Sequence, residues 1–231
     1  RKLYPREKKH RMDRRVAEEM IRQYMAMYPH QCTFAWQGGE PTLMGLQFFR
    51  MVTALQMKHG RDGQVVANGL QTNGTLMDDE WARFLRRYNF LVGISIDGPH
   101  EIHDRWRVYR DGRPTLDKVL GGLKALQQNG VETNALTMIT SHRWDKPQMI
   151  WDFLRDQDIS FFQFIPCLER DPETGEKSKY SVEPEQYGEF MCHMFDLWAE
   201  PECPETYVRL FNDLVEMYAG GEGPSCINKE R

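Results

Sequence analysis

The sequence predicts an α/β protein of parallel strands, each followed by a helix, arranged as an incomplete barrel or as an open doubly wound sheet. Three observations carry this. Short apolar runs alternate with segments of helical periodicity. The runs show little polar–apolar alternation, as expected of strands covered by helices on both faces. Most of them close on a Gly, Pro or Asn turn. Five strand–helix units fit the 231 residues, whereas a closed eight-stranded barrel takes about 250.

The elements follow in order. Arg11 to Tyr28 has helical spacing, with Val16, Met20, Ile21, Tyr24 and Met27 on one stripe and Asp13 placed to cap it. Thr33 to Trp36 is a short buried strand ended by Gly38-Gly39. Leu46 to His59 is a helix with Phe49, Val52, Leu55 and Gln56 on one face. Val65 to Gln71 is a strand closed by Asn73-Gly74. Asp78 to Tyr88 is a helix whose acidic first turn suits the helix dipole. Phe90 to Ile96 is a nearly continuous apolar strand running into Asp97-Gly98-Pro99. Thr115 to Gln128 is a helix stopped by Asn129-Gly130. Val131 to Thr140 is a strand, Lys146 to Arg155 a helix, and Ile159 to Ile165 a strand broken by Pro166. The alternation then fails. Arg170 to Pro184 is polar loop, and helices cover Glu185 to Ala199 and Pro204 to Tyr218, the last stopped by Gly220-Gly221.

Composition narrows the function. The chain is 40% hydrophobic and 12% aromatic, too apolar for disorder. Thirty basic against 34 acidic residues give a net charge of −4, which argues against a nucleic-acid partner, since phosphate binding needs a basic excess. The one basic cluster, Arg1 to Arg15, reads as a solvated face. No run of 18 apolar residues or signal peptide is present, so no membrane association is expected. The five cysteines, Cys32, Cys167, Cys192, Cys203 and Cys226, contain no C-x-x-C spacing. Their irregular placement fits a reducing cytoplasm. Cys32, Cys192 and Cys203 read as structural, Cys167 as a small packing residue, and the thirteen methionines mostly as core. The chain starts on Arg1 and ends on the polar run Cys226 to Arg231, so a fragment of a longer protein is expected.

In parallel α/β folds ligands bind at the carboxyl ends of the strands. Five conspicuous turns fall there: Gln37 to Thr42, Gln71 to Thr75, Ser95 to Pro99, Ile139 to His142, and Ile165 to Glu169. Their convergence on one rim is the sequence's main sign of an active site. Gly38-Gly39 allows positive φ and close approach to a ligand, Glu40 supplies a carboxylate, and Pro41 fixes the exit direction. Carbonyls and a carboxylate together suit an ammonium group, although the same turn also serves as a plain β-to-α connection. Thr72, Asn73 and Asp97 read either as backbone organisers or as ligand contacts. Arg107 reads as an ion pair with Asp104 or Asp111, or as a carboxylate clamp. Ser95 reads as a strand residue satisfied by a neighbouring turn, Leu168 as a core leucine, and His103 as a structural hydrogen-bonding group.

Three segments then carry a resemblance. Phe34 to Leu43, containing Gly38-Gly39-Glu40-Pro41, resembles the glycine-glycine-glutamate-proline motif of radical S-adenosylmethionine (SAM) enzymes. Leu70-Gln71-Thr72-Asn73-Gly74-Thr75-Leu76 with Asp79-Glu80-Trp81, and Phe90 to Pro99 with Ile102-His103-Asp104 and Arg107, resemble one branch of them, the anaerobic sulfatase-maturating enzymes. The resemblance runs from about residue 12 to Cys226.

It implies a partial (β/α)6 TIM-like barrel over residues 1–169, with loop and helices over 170–231 leading into a C-terminal cluster domain of the SPASM type. It implies SAM contacts at Gln37, Gly38, Gly39, Glu40 and Pro41, at Thr72 and Asn73, and at Ser95, Arg107 and Leu168. It also implies [4Fe–4S] clusters. The family's C-x-x-x-C-x-x-C motif for the catalytic cluster has no counterpart in this sequence. Cys226, in Gly223-Pro224-Ser225-Cys226, resembles the first auxiliary-cluster ligand. The implied reaction is oxidation of a sulfatase cysteine or serine to formylglycine, by a 5′-deoxyadenosyl radical made from SAM with one electron from the cluster. A sulfatase polypeptide and an electron donor such as flavodoxin or ferredoxin are the implied partners. No catalytic side chain is assigned, and the chain alone is expected to be inactive for want of cluster thiolates. Two alternatives remain: a radical SAM enzyme modifying another peptide, and a non-catalytic barrel that binds a partner. A barrel enzyme for phosphorylated substrates would need a glycine turn at a late helix start, and none follows Ile165.

Overall fold

The computed structural model describes residues 11–171, 174–200 and 205–221. Cys203, Cys226, Pro204 and residues 1–10 of the basic cluster lie outside the described residues. The chain forms two compact units, one of residues 11–94 and 118–132, the other of residues 95–117 and 133 onward.

The first unit holds α1 (Arg14–Met27), β1 (Gln31–Trp36), a 3-10 turn (Pro41–Met44), α2 (Leu46–His59), β2 (Val65–Thr72), α3 (Asp79–Arg87), β3 (Phe90–Ser95) up to Ile94, and most of α5 (Leu116–Gln128). Asp13 caps α1 as expected, its carboxylate accepting from Val16 N at 3.0 Å. The buried stripe differs from the expected one. Ala17, Ile21 and Met25 are buried, at spacing i, i+4, i+8, whereas Val16 and Met27 are 53% and 70% exposed. Asp78 caps α3 through Trp81 N at 2.9 Å.

β1, β2 and β3 pair in parallel, from Gln31↔Val65 to Trp36↔Leu70 and from Asn68↔Phe90 to Thr72↔Ile94. This register sets the turn after Trp36 beside the turn after Thr72, which positions the site. The core centres on Phe49 of α2, in edge contact with Trp36, Trp81 and Phe90 at 5.9, 5.4 and 6.4 Å. One polar group is buried beside it: the Asn68 carboxamide oxygen accepts from Gln56 Nε2 and Trp36 Nε1, both at 2.9 Å. Its nitrogen donates to Gln56 Oε1 at 3.1 Å, so burial leaves the pair satisfied.

The second unit holds α4 (His100–His103), β4 (Thr133–Ile139), α6 (Pro147–Asp156), β5 (Phe161–Pro166), α7 (Pro184–Ala199), β6 (Tyr207–Val208) and α8 (Arg209–Tyr218). β4 and β5 pair in parallel from Ala135↔Phe162 to Ile139↔Pro166. Pro166 therefore ends the strand from inside it instead of breaking it, and Cys167 N supplies the next bond, to Ile139 O at 2.8 Å. β6 pairs in parallel with β5 at Phe161↔Tyr207 and Phe162↔Val208. The expected last helix is thus shorter, starting at Arg209, and a two-residue sixth strand precedes it. Aromatic contacts fill this unit: Trp151–Phe162, Phe164–Phe190 and Trp198–Phe211, at 5.6, 5.4 and 5.5 Å. The Tyr187 hydroxyl donates to Phe164 O at 3.1 Å, and burial pushes it up to about 12.

The α/β class of parallel strands holds. Two composition-level expectations do not. Only Met25, Met77, Met191 and Met194 among the thirteen methionines are buried, and six are exposed, because unbranched thioethers also line the outer margins of helices. Cys32 and Cys167 are buried as expected, but Cys192 is exposed on α7. No described helix is long and apolar enough to cross a membrane.

Candidate functional site

In the first unit Glu40 joins two strand-end turns. Its Oε1 accepts from Thr42 N at 3.0 Å, Thr42 Oγ1 at 2.6 Å and Thr72 Oγ1 at 2.8 Å. Its Oε2 accepts from Asn73 N at 2.7 Å. Four donors nearly exhaust the acceptor sites of a carboxylate. The turn that looked like a bare carboxylate on a rim is therefore a clasp between the end of β1 and the end of β2. Thr72 goes on to accept from Gly74 N at 3.1 Å, and Asn73 Oδ1 accepts from Thr75 N and Oγ1 at 3.0 and 2.8 Å. Of the two readings held open for Thr72 and Asn73, backbone organisation is the one with bonds to show.

Gly38 and Gly39 carry φ of 109° and 59°, a region L side chains rarely adopt. A Cβ on either would meet nothing within 4 Å. The glycines thus answer to the turn's conformation, not to crowding by the protein, and the backbone from Gln37 to Gly39 is exposed. Pro41 is buried and starts the 3-10 turn, fixing the exit as expected.

In the second unit a buried ion cluster joins the turn at Asp97 to β4 and the turn that follows it. Asp97, 3% exposed, accepts from Arg107 Nε at 2.6 Å on Oδ2 and from Arg107 Nη2 at 3.1 Å on Oδ1. Met138 N donates to Oδ1 at 3.1 Å. Arg143 Nη1 lies 2.8 Å from Oδ2, yet out of line for a hydrogen bond. Burial alone would raise the Asp97 carboxyl; the charge and hydrogen bonds of Arg107, then the charge of Arg143, outweigh it and hold it at about 2. Arg107 is thus paired with Asp97, and neither Asp104 nor Asp111 takes it. Asp104 instead accepts from Thr115 N and Leu116 N, and Asp111 pairs with Arg113.

His103 is fully buried and structural, as expected. Its Nδ1 accepts from Asp97 N at 3.3 Å, so Nε2 carries the proton toward Thr115 Oγ1 at 3.3 Å. Thr115 Oγ1 in turn donates to Arg107 O at 2.5 Å. Burial pushes the His103 imidazole down to about 4, the Asp97 charge opposing. Leu168 is 73% exposed, so the core reading fails for it. Sequence reasoning missed Arg143 and Thr42. Arg143 gives no local sign, since its partner is 46 positions away; Thr42 could have been read from Glu40, two residues before it.

An open glycine backbone beside an anchored carboxylate fits the ammonium end of SAM. Among the described residues no group of three His, Cys, Asp or Glu is placed to hold a metal, so these residues do not fit an iron–sulfur cluster. An apolar cavity of about 400 Å³ lined by Phe164, Ile165, Tyr187, Met191 and Leu210 includes none of the expected site residues.

The model of the Radical SAM superfamily matches residues 4–156. A serine-type anaerobic sulfatase-maturating enzyme of Bacteroides thetaiotaomicron is 34% identical, over 97% of this chain and 58% of its own. A cysteine-type anaerobic sulfatase-maturating enzyme of Clostridium perfringens is 39% identical, over 91% of this chain and 58% of its own. Among solved structures, native anSMEcpe with bound AdoMet and Cp18Cys peptide superposes at a TM-score of 0.88 with 38% identity, covering 93% of this chain and 60% of that one. Streptococcus suis SuiB bound to precursor peptide SuiA, 14% identical at a TM-score of 0.62, covers 92% of this chain and 47% of its own and shares the fold alone. The chain spans 58% of the length of these two curated relatives.

Proposed function

Because the chain belongs to the radical SAM superfamily, we propose that it is the SAM-holding core of an enzyme that oxidises a cysteine or serine of a sulfatase to formylglycine. The observation that carries this is the likeness to anSMEcpe over 93% of the chain, that structure holding AdoMet and a peptide. The clasped, open turn at Gly38–Glu40 supports it from the geometry.

In this reading the backbone of Gln37, Gly38 and Gly39 receives the methionine ammonium group. Glu40 contributes negative potential while spending its lone pairs on Thr42, Thr72 and Asn73. Pro41 sets the turn's exit; Thr72 and Asn73 hold it in place. Arg107 takes the methionine carboxylate, Ser95 contacts SAM, and the backbone of the exposed Leu168 reads the adenine. When bound, SAM supplies the one-electron oxidising chemistry, and the protein supplies orientation and electrostatics. Cys226, outside the described residues, is the proposed auxiliary-cluster ligand. A sulfatase polypeptide is the substrate, a flavodoxin or ferredoxin the electron donor, and the cytoplasm the place. The residue ranges 1–169 and 170–231 are the proposed SAM-binding and C-terminal regions.

Coexpression tests the reading. This chain alone is expected to leave a sulfatase unmodified for want of cluster thiolates, whereas a longer gene product that adds a C-x-x-x-C-x-x-C motif to this sequence, expressed anaerobically beside a sulfatase, is expected to convert the sulfatase's active-site cysteine or serine to the aldehyde. Mass spectra showing only the unmodified side chain beside the longer product contradict the reading.

A further inference from the structure

The Asp97 cluster does more than bury charge. A guanidinium offers two two-pronged edges, a side edge of Nε and one Nη, and an end edge of both Nη atoms. Asp97 occupies the side edge of Arg107 through Nε and Nη2. The remaining N–H groups lie along the end edge, and the Arg107 side chain keeps 28% of its exposure although Asp97 and Arg143 are sealed at 3% and 4%. The main chain of Arg107 is fixed as well, through the relay from Asp97 N to His103, from His103 to Thr115, and from Thr115 to Arg107 O. Side chain and backbone of one arginine are thus held by the same aspartate.

The charges do not balance. His103 is neutral at pH 7, since burial holds it near 4. Two guanidinium groups face one carboxylate, and Arg143 Nη1 is buried without an aligned acceptor. Such a cluster has the electrostatics of a seat short of one anion.

We propose that Asp97, seconded by Arg143, is a positioning residue that presents the end edge of Arg107 to the carboxylate of SAM and thereby selects ligands carrying that carboxylate. The inference rests on the SAM reading above and adds to it the residue pair that gives Arg107 its direction. Arg107 without Asp97 would remain a cation but lose its fixed edge. Its attraction to the ligand would persist while its recognition of a planar carboxylate would fade.

The test compares SAM with its decarboxylated analogue, which keeps the amine, sulfonium and nucleoside, by equilibrium dialysis on this chain. The wild-type chain is expected to bind SAM about 10- to 100-fold more tightly than the analogue, the range for a hydrogen-bonded charge pair. Asp97→Asn should bring the ratio within about threefold by weakening SAM and sparing the analogue. Because that variant leaves two guanidinium groups, one of them buried, facing each other, a double variant, Asp97→Asn with Arg143→Met, restores the cluster's net charge and should show the same lost preference. A role in structure or net charge alone would leave the ratio in the double variant as in wild type. A retained ratio in either variant, with wild-type circular dichroism, overturns the inference, as does a wild-type chain binding both ligands equally. A wild-type chain binding neither ligand overturns the SAM reading itself, and the inference with it.

Discussion

Replacing Glu40 by Gln isolates what the carboxylate does for the two turns it joins. Gln keeps one acceptor oxygen, which can serve Thr42 and Thr72 in the place of Oε1. The amide nitrogen then takes the place of Oε2 and meets Asn73 N–H, donor against donor, where the native bond is 2.7 Å. An orphaned, half-buried N–H costs about 1–3 kcal/mol, and the three surviving bonds lose charge assistance. The expected loss of stability is about 2–3 kcal/mol, a fall in melting temperature of about 4–12 °C for a chain of this size. Urea and thermal unfolding by circular dichroism measure it, and amide hydrogen exchange at Asn73 localises it, since that N–H should exchange faster in the variant. Glu80→Gln is the control. Glu80 pairs with Arg50 at 2.7 Å on the surface, side chains 61% and 46% exposed, so its loss should cost less than about 1 kcal/mol. An E40Q protein within about 0.5 kcal/mol of wild type, with unchanged exchange at Asn73, would refute the clasp.

Four further outcomes are expected. His103 takes up a proton below pH 6.5 when unfolded but only near pH 4 when folded. Unfolding therefore gains protons across that window, and stability should fall by about 3 kcal/mol as pH drops from 6.5 to 4; urea titrations of His103→Gln should lose this slope. Gly122→Ala should destabilise by about 1–3 kcal/mol, since its Cβ would stand 2.7 Å from Gly74 O and 2.8 Å from Met77 Cβ. Gly121→Ala, with nothing within 4 Å, should be neutral or stabilising by up to about 1 kcal/mol. Gly39→Ala, at φ 59° in open space, should cost about 1–2 kcal/mol of turn strain and weaken SAM, both readable by thermal shift with and without ligand.

What the sequence disclosed depended on how local the cause was. α2 runs from Leu46 to His59 as the periodicity said, and Asp13 caps its helix as expected, because these effects act within a turn or two. The buried face of α1 was misjudged because hydropathy favoured the larger Val16 and Met27 over Ala17, whose small side chain lets the helix lie close. β6 escaped notice because two residues carry no alternation, and its pairing with Phe161 and Phe162 is tertiary. The same limit applied at the site. Glu40 and Arg107 were legible as functional residue types, but their partners were not. Thr72 and Asn73 lie 32 and 33 positions from Glu40, and only the register Trp36↔Leu70 sets the two turns side by side. Asp97 stood in plain view as a turn residue, and its grip on Arg107 was assigned to the wrong carboxylates. Glu40 shows the physical point most clearly: a motif names the chemistry at a turn, while long-range pairing decides which of its atoms are already spent.

The proposed seat for SAM at the Gly38–Gly39 turn is tested most directly by amide spectra of the ¹⁵N-labelled chain titrated with SAM. The account predicts saturable one-to-one shifts centred on the Gly38, Gly39 and Asn73 amides. Shifts confined to other residues, or none at saturating ligand, would contradict it.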